Sequence, residues 1–422
     1  MWRRLLNVVR QEKPAQATPA PSPYQLTASC PGAPSAGLIP LHVQFTCPID
    51  ARLVVRGPSG ATVYEADLQG AEPRRERLLS IHGHLLGEGD HVFQVELAAA
   101  DGAILGRTSV VAKARVQGDL AGRVADSLRA SETPLVVDTL GSALYDYADQ
   151  DLRPWFDREP EVASAHVDAL LAAGRIEPDE AEALRGFLAN GFMILPDVLG
   201  ADELSALNAA MDDAVAQKRE GYEWGSSQRL HNLHEHYPAV RGLWQHPKVL
   251  KLLDLIFDAP ARPCQSLSYV FGSQQDHHQD TIHLTAFPAG YMCGVWTALE
   301  DVQPESGELV VYPGTHRLPR VYRASVDLPV VENGDWTAFG DKVVTRWQAM
   351  LQEGGFQPEV YRPKAGTVLV WHENLMHAGS LRRDLGLSRR SIVCHYFAEG
   401  VVGYYDSTGL PGSLSLDPRP AA

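Results

Sequence analysis

Short β-rich runs broken by turn signals fill the stretch from Tyr24 to about Val116, and they restrict the N-terminal part to sheet. The runs are LHVQFTC, ARLVVRG, ATVYEADL, HVFQVELAAA and RTSVVAKARV. Pro-Ser-Gly at 58–60, Gly-Glu-Gly-Asp at 87–90 and Asp-Gly at 101–102 separate them. Strands at a spacing of roughly ten residues pair with their chain neighbours, so a small antiparallel β-sandwich, immunoglobulin-like in pattern, is expected over 24–117. His82 and His84 sit in a Gly-flanked turn and are read as surface residues.

The period changes at Gly118. Leu120, Val124 and Leu128 recur at helical spacing, and HVDALLAAG repeats the pattern, giving a helical connector over 118–180. Pro178 and Asp179 suit a first helical turn, and Gly191 suits the C-terminal cap of EAEALRGFLANG. A strand in FMILPDVL and a helix in ADELSALNAAMDDAVAQK follow, opening a third region that spans 181–403 before a tail at 404–422. Residues 1–23 are expected to be disordered, with a Pro/Ala linker in PAQATPAPSP. The opening MWRRLLNVVRQEK reads as a frayed terminus, with a weak membrane or protein contact by a basic amphipathic segment as the alternative.

A chain of 422 residues with 45% hydrophobic content supports more than one packed core. Its 37 basic against 52 acidic residues argue against nucleic acid as the main partner. The partner expected is a small-molecule substrate; oligomeric state is left open. No apolar run reaches the ~20 residues of a membrane helix. Five scattered cysteines without a CxxC pair suit free thiols in a reducing compartment, hence a cytoplasmic location, with a Cys30–Cys47 bridge as the alternative.

The chemistry concentrates in the segment from Gln274 to His283, QQDHHQDTIH. Read as a strand, it puts His278 and Asp280 on one face, offering an imidazole nitrogen and a carboxylate oxygen to one ion. A second, distant His completes a two-His, one-carboxylate triad, which leaves open positions on an octahedral metal as in non-haem iron(II) oxygenases. The segment AGTVLVWHENLMHAGS supplies His377 at the end of a strand and turn, followed by small residues. Arg389, twelve positions after His377, offers a guanidinium to a substrate or cosubstrate carboxylate. Strand alternation puts Arg389, Ser391 and Val393 on one face and Arg390, Ile392 and Cys394 on the other.

Other residues compete for these roles. His277 points away from His278 and reads as a surface or supporting residue. His283 faces away from Asp280 in a regular strand, with the mouth of the substrate site as its alternative place. The cluster His231, His234 and His236 lacks a carboxylate at zinc-site spacing and is assigned no ligand role. His316 serves a turn. His372, five before His377, is the rival ligand. Glu300 and Asp301 read as a structural pair, and Trp296 as either a core or a site aromatic.

HQDTIHLTAFPAGYMCGVWTALEDVQPESGELVVYPGTHR, with its W-x-A-L-E-D, S-G-E-L and P-G-T-H phrases, resembles the core of the phytanoyl-CoA dioxygenase family. GTVLVWHENLMHAGS with SRRSIVCHYF, and the opening FLANGFMILPDVL, extend the likeness over roughly 181–400. The resemblance implies a mainly β fold with α, a double-stranded β-helix (jelly-roll) catalytic domain. It implies iron(II), 2-oxoglutarate as cosubstrate and dioxygen, with His278, Asp280 and His377 as metal ligands. It also implies that Arg389 grips the far carboxylate of 2-oxoglutarate, with Arg390 as competitor, and that Trp296 lies beside the cosubstrate. Gln274 or Gln275 would hydrogen-bond the cosubstrate, and Arg229 matches an upstream basic contact loosely. Relatives that halogenate lack the carboxylate, so Asp280 points to hydroxylation. Two further readings stay open: a catalytically silent barrel used as a binding module, and a zinc-dependent enzyme on the same barrel.

Overall fold

The structure is a computed structural model that describes residues 24–414 and 416, apart from 36, 48–49 and 69–73. The basic N-terminal segment and the Pro/Ala linker lie outside the described residues. Alternation drives the first part. In Leu38–Thr46 the side chains of Leu41, Val43 and Phe45 are buried while those between them are partly exposed. That strand pairs antiparallel with Leu26–Ser29 and Arg74–His82, and Val136–Val137 completes the sheet. A second antiparallel sheet runs Thr62–Leu68, Ala51–Arg56, Gly89–Ala99, Ile104–Ala114. Leu53, Val55, Phe93, Val95 and Leu97 from it share one apolar cluster with Leu41, Val43, Leu79 and Ile81. The strand Arg74–His82, with Arg-Arg-Glu-Arg at its start, was hidden from the sequence reading by that charge.

Helices Asp119–Ala130, Pro160–Ala172, Pro178–Asn190 and Ala201–Ala216 follow, with Gly191 at φ 84° capping the third as its position predicts. They and the helix Pro247–Phe257 cover one face of a six-stranded antiparallel sheet. Its order is Leu230–His231, Ala261–Tyr269, Ser391–Ala398, Met292–Ala298, Val368–His372, Phe192–Leu195. The central strands MCGVWTA, VLVWH and SIVCHYFA are buried throughout, because both faces of the sheet are covered. Opposite lies a three-stranded antiparallel sheet of Glu359–Tyr361, Leu309–Val311 and His377–Gly379. Leu267, Trp296, Leu369 and Trp371 of the larger sheet meet Leu309 and Val311 of the smaller in one cluster. The chain is thus mainly β with helices, and a cavity opens between these two sheets.

One expectation is corrected. His82 and His84 are fully buried rather than on the surface. His82 Nε2 lies 2.9 Å from the Tyr145 hydroxyl, and His84 Nε2 lies 2.8 Å from the Gly400 carbonyl, so both rings seal the contact between the N-terminal sheets and the rest. The described part of the 404–422 tail is fastened to the rest of the chain. Asp406 accepts the N–H groups of Ser142 (2.7 Å) and Arg323 (2.6 Å). Gly412 exchanges two hydrogen bonds with the Ser80 hydroxyl in the first sheet. All five cysteines are free, so Cys30 and Cys47 are unbridged. Among the described residues no helix is long and apolar enough to cross a membrane.

Candidate metal centre

His278, Asp280 and His377 converge. Their ligand atoms lie within 4.8 Å of one another, and all three residues are buried. The cause is not the strand expected for 274–283. His278 and His377 form an isolated antiparallel bridge, with N–H to carbonyl distances of 3.0 and 3.1 Å in the two directions. Asp280 then sits in a bend whose N–H, together with that of Thr281, donates to the Glu373 carbonyl at 3.0 and 3.2 Å. The turn after the strand Val368–His372 therefore grips the loop that carries the other two side chains. Gln279, between them, accepts the Trp347 indole N–H at 3.0 Å and the Val321 N–H at 3.3 Å, so its side chain points out of the centre.

The hydrogen bonds fix which atoms are free. His278 Nδ1 lies 2.8 Å from the Asp276 carbonyl, and His377 Nδ1 lies 3.0 Å from the Leu375 carbonyl. A carbonyl only accepts, so both Nδ1 atoms carry the proton and both Nε2 lone pairs are available. Those Nε2 atoms stand 3.6 and 3.8 Å from Asp280 Oδ1. Asp280 Oδ2 instead accepts the Trp371 indole N–H at 2.8 Å, leaving Oδ1 for an ion. Trp371 lies flat on the neighbouring strand at Gly294, where an added Cβ would come within 2.2 Å of its ring. Burial, reinforced by the His377 ring, pulls the His278 imidazole down to about 3, so it is neutral and ready to ligate at ordinary pH. Burial alone would raise the Asp280 carboxyl; the imidazoles of His377, His395 and His278 outweigh it and hold the group well below its usual range.

The centre opens on a cavity of about 470 Å³. Arg389 lines it, only 3% exposed, at the entry to the strand Ser391–Ala398. Its Nε donates to the Gly307 carbonyl at 3.0 Å and its Nη1 to Ser391 Oγ at 2.8 Å. Among the described residues no carboxylate lies within 4.0 Å of its guanidinium, and burial lowers it to about 10. Arg390 turns the other way to Asp212 (2.7 Å) and Asn208 (3.2 Å), outside the cavity. Trp296 also lines the cavity, its ring centroid 5.5 Å from the Arg389 guanidinium carbon, and its buried indole N–H has no partner among the described residues. Gln275, His283 and Arg229 line it too. Gln274 does not. It is exposed, at φ 51°, and its amide donates to Ser227 Oγ at 2.6 Å, so the left-handed backbone turns it away.

Rival histidines find other partners. His372 Nε2 is 3.1 Å from Asp157 Oδ1, His234 Nδ1 is 2.8 Å from Ser266 Oγ, and His231 pairs with Glu220. Glu300 accepts the Arg390 N–H and the Ser388 hydroxyl, a structural use. Sequence reasoning missed Trp371 and His395. His395 lines the cavity, with Nε2 3.7 Å from Asp280 Oδ2 and Nδ1 3.0 Å from Gln265 Nε2. The signal for both was alternation: Leu369 and Trp371 share a face, as do Val393 and His395.

Residues 187–390 match the family model for phytanoyl-CoA dioxygenase (PhyH). A probable phytanoyl-CoA dioxygenase of Caenorhabditis elegans is 28% identical over 141 residues, 32% of this chain and 40% of the relative. Phytanoyl-CoA dioxygenase domain-containing protein 1 of Mus musculus is 35% identical over 91 residues, 20% of this chain and 31% of the relative. The peroxisomal phytanoyl-CoA dioxygenase of Bos taurus is 28% identical over 142 residues, 32% of this chain and 37% of the relative. The matched part thus spans two fifths or less of these relatives. Among solved structures, the non-heme alpha ketoglutarate dependent carbocyclase SnoK from nogalamycin biosynthesis is similar at a TM-score of 0.42 and 21% identity, over 54% of this chain and 86% of that one. Residues 187–390, just under half of this chain, are thus similar to the phytanoyl-CoA dioxygenase (PhyH) family, the one that the sequence motifs resemble.

Proposed function

We propose that the protein is an iron(II)- and 2-oxoglutarate-dependent oxygenase that hydroxylates an unactivated C–H bond of a small-molecule or lipid-like substrate. The observation that carries this reading is the shared cavity. Two imidazole Nε2 atoms and one carboxylate oxygen converge there, within the same walls as a buried guanidinium that has no carboxylate within 4.0 Å among the described residues. Two neutral nitrogens and one anionic oxygen on one side suit a ferrous ion with adjacent positions left open. When bound, iron(II) with 2-oxoglutarate and dioxygen supplies the oxidising power.

The chain's own residues do the rest. His278, Asp280 and His377 hold the ion, and Trp371 limits Asp280 to one oxygen. Arg389, braced by Gly307 and Ser391, pairs with the far carboxylate of the cosubstrate, and Trp296 walls that subsite. Arg229 and His283 face the remaining space, where substrate binds. The apolar sheet faces exclude water. No protein acid or base is required, and none is assigned. Residues 181–403 are read as a double-stranded β-helix, 24–117 as an immunoglobulin-like sandwich and 118–180 as their connector. The free thiols favour a cytoplasmic location.

Anaerobically purified protein given iron(II), 2-oxoglutarate and oxygen is expected to release succinate, slowly even without prime substrate. His278→Ala and Asp280→Ala are expected to abolish it. Metal analysis showing tight stoichiometric zinc, or iron and 2-oxoglutarate binding without any turnover, would replace this reading with the zinc enzyme or the silent module.

A further inference from the structure

A buried ionic cluster lies directly behind the metal loop, and one member comes from far upstream. Arg320 donates through Nε to Glu373 Oε1 at 2.8 Å and through Nη2 to Asp157 Oδ2. Glu373 Oε1 also accepts the Gly290 N–H at 2.8 Å. His372 Nδ1 accepts the Asn374 N–H at 3.0 Å, so the ring proton is on Nε2, which donates to Asp157 Oδ1 at 3.1 Å. The side chains of His372 and Glu373 are 0% and 1% exposed, and those of Asp157 and Arg320 are 15% and 20% exposed. Asp157 therefore uses one oxygen on each of two neighbours, and those neighbours flank Glu373.

The main chain of Glu373 is what the metal loop rests on. Its carbonyl accepts the N–H groups of Asp280 and Thr281 at 3.0 and 3.2 Å, and the Thr281 hydroxyl at 3.3 Å. Residue 157 lies outside the residues that match the family model, in the segment that links the N-terminal sheets to the cavity-bearing part.

We propose that Asp157 is a positioning residue for the metal centre: by clamping Arg320 and His372 it fixes the turn whose Glu373 carbonyl sets the backbone of Asp280. The functional unit then begins upstream of the matched family domain. Without Asp157, the Arg320 guanidinium keeps only Glu373 and the His372 N–H loses its acceptor, so the turn relaxes and the carboxylate shifts relative to the two imidazoles. Groups that orient ligands from behind typically account for ten- to hundredfold in metal affinity.

The inference rests on His278, Asp280 and His377 being the metal ligands, not on turnover. It is tested on the full chain with cobalt(II), whose ligand-field absorption reports the ligand geometry. Wild-type protein is expected to bind one cobalt(II), lost in Asp280→Ala. Asp157→Ala is expected to weaken cobalt(II) binding by at least about tenfold and to change the ligand-field band. Arg185→Ala, which breaks only the exposed Arg185–Asp168 pair, changes neither. Should Asp157→Ala fail to fold, Asp157→Asn keeps the shape and the His372 contact but not the charge on Arg320, and it is expected to show the same effects. A folded Asp157 variant with lower thermal stability but wild-type cobalt(II) affinity and spectrum overturns the proposal. So does wild-type protein that binds no cobalt(II). A wild type that binds cobalt(II) normally but never releases succinate with iron sinks the oxygenase reading and leaves this one standing.

Discussion

Trp371→Phe removes the hydrogen bond that decides how Asp280 presents itself. The phenyl ring keeps an aromatic ring beside His377, whose centroid is 4.9 Å from that of Trp371, but not the indole edge that lies over Gly294. The indole N–H is lost, and with it the 2.8 Å bond to Asp280 Oδ2, together with part of the buried ring. A hydrogen bond to a charged acceptor contributes about 1.5–3 kcal/mol. Oδ2 is buried, and the nearest alternative is His395 Nε2 at 3.7 Å, so water does not easily replace the indole. The carboxylate becomes free to rotate, and its single-oxygen geometry is no longer enforced. At about 1.4 kcal/mol per tenfold, metal affinity is expected to fall by about ten- to hundredfold. Anaerobic cobalt(II) titration followed by absorption measures this, with circular dichroism as the folding control. A folded Trp371→Phe protein whose cobalt(II) affinity stays within about twofold of wild type would refute the argument that this bond orients the ligand.

Two further outcomes are expected. Arg389→Gln raises the 2-oxoglutarate requirement for succinate release at least about tenfold with metal binding intact, whereas Arg390→Gln, on the outer face with Asp212, leaves it within about twofold; the reverse order would overturn the assignment of strand faces. Burial lowers both His82 and His84 to about 4 in the fold, against about 6.5 when unfolded. The unfolded chain thus binds more protons between those values, and stability, full above about pH 6.5, drops as pH falls toward 4, by up to about 2 kcal/mol for each ring at pH 5. Thermal melts at pH 7.5 and 5 test it; a melting temperature unchanged between them, or a slope unaltered in the double Gln variant, contradicts the burial argument.

The triad was legible because its residue types are scarce in combination and because the residues after His377 are small. Its geometry was not. A period-two strand was the simplest way to bring His278 and Asp280 to one side, yet a single bridge to His377 and a bend on the Glu373 carbonyl achieve it. Alternation put Arg389 and Arg390 on opposite faces, but the sequence did not say which face lines the cavity. Gln274 was misplaced because nothing in its neighbours announces a left-handed backbone. His82 and His84 were misread for a related reason: local polarity and flanking glycine describe a turn but say nothing of what packs over it, and here Tyr145 and Gly400 arrive from far along the chain. Asp157 carries no local signal at all, because its partners are Arg320 and His372.

The far end of the described chain carries its own lesson. Ser407 and Thr408 form part of the cavity wall, while Gly412, a few residues on, is fastened to Ser80. None of the side chains His278, Asp280 and His377 comes from this stretch. The cavity wall can therefore be altered from one stretch of sequence while the His-Asp-His cluster is kept by another, and a pocket pictured from the matched family region alone would lack one of its sides.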